Sequence, residues 1–172
     1  MIGRFQPFHN GHLGLSKQVL TECNELVIVV GSAQFNYIYK DPFTGGERIE
    51  MIHAALEESE IDLRKCYIIP IINDENNARW FGYVRSMVPR FDVLYSGNEF
   101  VASLTAAMVK LRKPLFIHQA MYNGTNIRLQ IAKGKPGWKK SVPKSVSRLI
   151  EQVGGVERIK MLLETDSNPQ LW

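Results

Sequence analysis

Two histidines, His9 and His12, flank Gly11 in the stretch GRFQPFHNGH, residues 3–12. If His9 ends a loop and His12 falls in a first helical turn, the segment presents free backbone N–H groups and the positive end of a helix dipole. Gly11 lets an anion come close to the backbone. Imidazoles placed there donate hydrogen bonds to phosphate oxygens, and can carry positive charge as negative charge builds on phosphorus. Arg4 adds a permanent cation. Taken alone, H-x-G-H is equally compatible with a capped helix start bearing two exposed histidines.

Three other stretches carry chemistry-bearing residues. In NGTNIR (123–128), Gly124 and Thr125 open a helix and Arg128 lies one turn on, so a hydroxyl, N–H groups and a guanidinium converge on one anion. An ordinary helix start with a solvated arginine is the competing reading. In DPFTGGER (41–48), Arg48 either reaches a substrate phosphate or pairs with a surface carboxylate. In NDENNARW (73–80), Trp80 and Asn77 can form a stacking and hydrogen-bonding pocket for a flat ring; alternatively Trp80 belongs to the core. Neither G-x-x-x-x-G-K-[ST] nor G-x-G-x-x-G occurs, so a P-loop and a dinucleotide fingerprint are unsupported. No Cys/His cluster suggests zinc, and no serine carries a nucleophile elbow. His53, on a helix, and His118, at a strand end, read as structural.

These segments need elements to hold them. ELVIVVGSA (25–33) is a nearly continuous apolar run, the pattern of a strand buried on both faces. CYIIPII (66–72), with Pro70 pointing to an edge position, FDVLYSG (91–97) and PLFIH (114–118) are further strands. Helical spacing follows from residue 11, with Asn10 as the expected cap, and again after Thr44, where Thr44 and Glu47 have capping-box spacing. Further helices are expected in NNARWFGYVRSMV, in EFVASLTAAMVKL (running into a short strand) and in TNIRLQIAKG. PKSVSRLIEQVGGVERIKMLLE reads as two helices broken at Gly154 and Gly155. Strand–helix alternation predicts a doubly wound α/β fold with a mainly parallel sheet. In such folds ligands bind beyond the carboxyl ends of the strands, and the polar, glycine-rich segments fall there. The first helix should follow a strand, so we expect several apolar residues upstream of Met1.

The 172 residues fit one domain, 1–172, with about 143–165 as a helical C-terminal extension. A hydrophobic content of 45% suffices for a packed core. The +4 net charge is scattered apart from a cluster between Lys133 and Arg148, which suits anionic small molecules and disfavours nucleic acid. Cys23 and Cys66 are too few for a disulfide scaffold. No signal peptide or membrane-length apolar run is present, so a soluble cytoplasmic protein is expected.

H-x-G-H after the first strand with G-T-x-x-R near the last resembles the nucleotidyltransferase superfamily, whose members share an α/β (HUP-type, Rossmann-like) fold with class I aminoacyl-tRNA synthetases. With VGSAQ, DPFTGGER, NARWFGYV, YSGN and GVERIK, the chain is similar to archaeal nicotinamide-nucleotide adenylyltransferases over nearly its whole length. The resemblance implies that ATP and nicotinamide mononucleotide (NMN) give NAD and pyrophosphate, by in-line attack without a covalent enzyme intermediate. It implies Mg²⁺ arriving with the triphosphate and no protein metal cage. It assigns catalytic roles to His9, His12 and Arg128. ATP or phosphate binding falls to Gly3, Arg4, Phe5, Gly11, Gly124, Thr125 and Arg48, and nicotinamide-side contacts to Trp80, Asn77, Phe43 and Asn73. It also implies a homo-oligomer, often a hexamer, and no membrane partner. Asn123 replaces the family's usual serine, and Asn73 stands where relatives carry aspartate. Transfer to nicotinic acid mononucleotide, a pantetheine phosphate or a flavin nucleotide is the alternative, and a non-catalytic nucleotide-binding protein a more distant one.

Overall fold

The computed structural model describes residues 1–74, 76–115 and 122–165. Strand β2 (Leu26–Val30) lies between β1 (Ile2–Gly3) and β3 (Cys66–Pro70) in a parallel three-stranded sheet, with Gly3 opposite Val30 and Ile28 opposite Ile68. A second parallel pair joins β4 (Val93–Tyr95) to β5 (Lys110–Arg112). The helices are α1 (Asn10–Glu22), α2 (Gly45–Glu58), α3 (Asn77–Met87), α4 (Glu99–Thr105), α5 (Gly124–Ala132), α6 (Lys144–Gln152) and α7 (Gly155–Glu164).

Strand alternation divides the core. Successive side chains of a strand point to opposite faces. Leu26, Ile28 and Val30 therefore enter one apolar cluster with residues of α1, α2, α5, α6 and α7, while Val29 enters another with Ile71, Phe81, Val84 and Leu94. Val146, Ile150 and Ile159 of the two last helices are fully buried in the larger cluster. The C-terminal helices are thus packed into the main core, with the break between them at Gly154, whose φ is 66°.

Most expected elements are present. β3 is an edge strand ending at Pro70, where a missing N–H donor costs no ladder bond. β5 is the short strand expected at the end of EFVASLTAAMVKL, and it takes the pairing with β4; of the strand expected at 114–118, Pro114 and Leu115 are not in a strand, and Phe116, Ile117 and His118 lie outside the described residues. Lys-Leu-Arg has one apolar side chain, so the sequence marks a short strand after α4 but not its bounds. β1 is short, and Met1 extends its pairing: the Met1 amine donates to Val27 O at 2.7 Å, and Val29 N to Met1 O at 2.9 Å.

Segments after β1, β2, β3 and β4 meet at one end of the sheets. They enclose a cleft of about 600 Å³, whose lining includes Arg4, Lys40, Asn73, Asn77, Trp80 and Asn98. A second cavity, about 380 Å³, lies among Val27, Val88, Phe91 and Tyr95 and contains none of the candidate residues.

Candidate active site

Helix α1 begins one residue earlier than expected. His9, not Asn10, is the cap, with extended φ −136° and ψ 171°. His12 N donates to His9 Nδ1 at 3.3 Å, and His9 N donates to His12 Nδ1 at 3.3 Å. This is a reciprocal capping box built from two imidazoles, a role usually filled by Ser/Thr with Glu/Gln. Asn10 is the first helical residue, and its amide donates to Lys140 O at 3.0 Å.

The box determines where the ring protons sit. Each Nδ1 accepts a backbone N–H, so each neutral ring carries its proton on Nε2. Burial pushes His9 down to about pKa 4 and holds His12 well below its ordinary value, with His9 a smaller cause for His12. The rings stack at 3.5 Å and 15°. At neutral pH the pair therefore offers two uncharged Nε2–H donors.

Phe5 and Gly3 support this pair from below. Phe5 has φ 52° and is 2% exposed, and its ring meets His12 edge-on at 4.7 Å. A Cβ on Gly3 would stand 3.0 Å from that ring. Gly11 has a different reason: its Cβ would lie 3.0 Å from Cβ of Tyr122, so glycine allows α1 to approach the segment leading into α5.

At the start of α5, Asn123 is the N-cap. Its side-chain oxygen accepts from Thr125 N at 2.8 Å and Asn126 N at 3.4 Å. Arg128 is only 5% exposed. Its Nη1 donates to Gln6 O at 2.7 Å and its Nη2 to Thr125 Oγ1 at 3.3 Å, while its Nε is buried with no protein partner. Its guanidinium lies 5.8 Å from the Tyr39 ring centre. Gly124 allows the approach, since a Cβ there would be 3.0 Å from Gln6 O and 3.3 Å from Arg128 Nη1. The H-x-G-H and G-T-x-x-R segments are thus tied together at Gln6. Arg4 completes the cationic rim: Nη1 contacts both Asp41 carboxylate oxygens at 3.2 and 3.3 Å, and the side chain stays 42% exposed.

Two expected site residues lie elsewhere. Arg48 is wholly buried, and its N–H groups all go to backbone carbonyls: Thr44, Arg4, Gly31, Ser32 and Ala33, at 3.0–3.3 Å. It pins the loop after β1 to both ends of the loop between β2 and α2, and has no donor left for a substrate. Phe43, expected on the nicotinamide side, is also fully buried; Gln6 clasps its backbone, donating Nε2 to Phe43 O at 2.9 Å and accepting Phe43 N on Oε1 at 3.0 Å. Arg48 shares the face of α2 that carries Met51, Ile52 and Ala55, a spacing that signals burial. Nothing local in the sequence marks Gln6, because its partner is 37 residues away.

Trp80, Asn77 and Asn73 do line the cleft. The carboxylate displaced to Asp74 accepts from Asn76 N at 2.8 Å and pairs with Arg79 at 3.6 Å, so it organises the start of α3. Among the described residues no group of three or more His, Cys, Asp and Glu side chains is arranged to hold a metal ion.

The class follows from a family model described as cytidylyltransferase-like, which matches residues 1–132. The full chain is 45% identical to the nicotinamide-nucleotide adenylyltransferase of Caldivirga maquilingensis, covering 99% of this chain and 97% of that one. It is 44% identical to the corresponding protein of Thermococcus kodakarensis, covering 94% and 86%. A solved bifunctional NMN adenylyltransferase/ADP ribose pyrophosphatase from Francisella tularensis, complexed with AMP and a manganese ion, shares the fold with a TM-score of 0.72 at 20% identity. That alignment covers 98% of this chain and 56% of the other. The chain belongs to the nicotinamide-nucleotide adenylyltransferase family.

Proposed function

We propose that the chain transfers the adenylyl group of ATP to the 5′-phosphate of nicotinamide mononucleotide, giving NAD and pyrophosphate. The observation that carries this reading is the Arg128 Nε–H, buried without a protein partner in the first turns of α5, on a side chain that Gln6 O ties to the loop carrying His9 and His12. An unpaired buried donor on a charged group costs free energy until an anion accepts from it. A phosphate oxygen is the acceptor that suits a guanidinium in this position.

An oxygen of the mononucleotide phosphate attacks the α-phosphorus in line. A new P–O bond forms, the bond from the α-phosphorus to the bridging oxygen breaks, and its electron pair leaves with pyrophosphate. Arg128 faces the leaving β,γ-phosphates, and His9 and His12 donate from Nε2 to the oxygens gaining charge. No step needs an enzyme nucleophile, because positioning and charge stabilisation suffice. Mg²⁺ would be held mostly by the triphosphate and water rather than by a protein cage, the nearby carboxylate of Asp41 being paired with Arg4. The acceptor would occupy the cleft, its ring against Trp80 and its phosphate toward Arg4 and Lys40.

The resemblance to the archaeal enzymes supports a homo-oligomer, as large as a hexamer, acting in the cytoplasm. No helix among the described residues is long and apolar enough to cross a membrane.

Incubating the protein with ATP, Mg²⁺ and each acceptor in turn tests the reading. NAD and pyrophosphate should appear with the nicotinamide nucleotide. Turnover only with a flavin or pantetheine phosphate would replace the assignment. His12→Ala should lower the rate by about 10²–10⁴-fold, and an unchanged rate would remove the site.

A further inference from the structure

The family model ends at residue 132, yet one side chain beyond it grips the active-site loop. Arg158, in α7, has a side chain only 10% exposed. Its Nη1 donates to Pro42 O at 3.1 Å and to Glu47 Oε2 at 2.7 Å; its Nη2 donates to Glu47 Oε1 at 2.9 Å and to Val153 O at 3.0 Å. The guanidinium lies over the Tyr37 ring at 4.4 Å. Glu47 also accepts from Thr44 N at 2.8 Å, so the pair fixes the loop on both sides of Phe43.

Two routes lead from there to Arg128. Pro42 precedes Phe43, whose backbone N–H and C=O are both held by Gln6, and Gln6 O accepts from Arg128 Nη1 at 2.7 Å. The same loop carries Tyr37 under Arg158 and, two residues on, Tyr39 beside Arg128. Gly155 lets α7 close on the loop: a Cβ there would stand 2.7 Å from the Phe43 ring.

We propose that Arg158 is a positioning residue for adenylyl transfer, acting through the Pro42–Phe43 backbone and Gln6 to hold Arg128 in its reactive orientation. Arg158 lies outside the lining of the cleft proposed for the acceptor. The proposal rests on the adenylyltransferase reading for its kinetic consequence, but the relay itself has a readout free of turnover.

Arg158→Met is compared with Ile159→Ala, a buried α7 change that opens a hole in the core shared with Phe43 but removes none of the relay's hydrogen bonds. At a temperature well below both melting points, Arg158→Met should lower kcat about tenfold and leave the KM for the mononucleotide within about twofold. Ile159→Ala should keep kcat. Arg158→Lys should recover only part of the loss, since an ammonium cannot engage Glu47 as a fork and Pro42 O together. Arg128→Lys should lose less activity in the Arg158→Met background than in the wild type. With ¹⁵N-arginine, the Arg128 Nη protons should resolve in the wild type and broaden in Arg158→Met. Equal kcat losses in Arg158→Met and Ile159→Ala, additive effects with Arg128→Lys, or an unaltered Arg128 Nη signal would each overturn the proposal. Should Arg158→Met fail to fold, Arg158→Lys and Glu47→Gln take its place, and the same results support or overturn the relay. A wild type that makes no NAD but shows the Nη change would sink the activity reading and leave the relay standing.

Discussion

At the scale of single residues, burial keeps the two capping imidazoles neutral. His9 has an ordinary value of 6.5 and a folded value of about 4, lowered chiefly by burial. The unfolded chain therefore takes up a proton near pH 6.5 that the native state refuses until about pH 4. The stabilisation from keeping His9 neutral is fully present above pH 6.5 and is lost as pH falls toward 4. His12 shifts in the same direction. The His9 share amounts to about 3 kcal/mol or less. Urea midpoints at pH 7.5, 6 and 4.5 should fall steeply in the wild type and more gently in His9→Gln. Parallel slopes would mean that the buried imidazole is not the titrating group. Residue type makes the donor chemistry legible here, but H-x-G-H alone is equally a capped helix start, and only the distant NGTNIR and the family resemblance tilt the reading toward a phosphate site. Which nitrogen holds the proton is not legible, since it depends on the mutual bonds of the two rings.

At the scale of elements, glycine sets how closely helices approach loops. Gly124 has Gln6 O 3.0 Å from where its Cβ would be, and a backbone atom cannot swing aside. Gly14, on α1, has nothing within 4 Å of that position. Gly124→Ala should push α5 off Gln6 and lower kcat about tenfold, whereas Gly14→Ala should gain roughly 0.5–1 kcal/mol from helix propensity at unchanged kcat. Paired melting curves and initial rates decide it; equal rates for the two variants would show that the Gln6–Arg128 contact does not matter. Helices are legible because apolar spacing and the Thr44/Glu47 box are local. β5 is legible only as a short strand after α4, because the bounds of Lys-Leu-Arg are set by its pairing with β4. Arg48 reads as a phosphate ligand for a related reason: sequence gives its charge but not the five carbonyls that surround it. The face it shares with Met51 and Ile52 is the signal that points inward instead.

At the scale of the whole molecule, the catalytic loops and the C-terminal helices form one packed body. Val146, Ile150 and Ile159 sit in the same cluster as Phe43, Ile52 and Leu56. Ending the chain after Val142 would uncover that face and remove Arg158 together. The shortened protein should lose cooperative thermal unfolding by circular dichroism; a sharp transition near the wild-type temperature would show that residues 1–142 fold unaided. Strand–helix alternation makes the α/β class readable, and the extension is readable as helical. Its hold on the active-site loop is not, because Arg158 and Glu47 are 111 residues apart and nothing in either segment names the other.

The paired imidazole cap also constrains descent. His9 and His12 close the first turn of α1 with the same rings whose Nε2–H groups donate to substrate in the proposed mechanism. A lineage abandoning the reaction cannot let these positions drift freely, for each loss frays the helix on which Ser16 and Val19 are buried. Retirement of the chemistry would pass through a replacement cap, with asparagine or aspartate at position 9 as the easiest exit. Such a substitution in a descendant would mark the point where scaffold and catalyst parted.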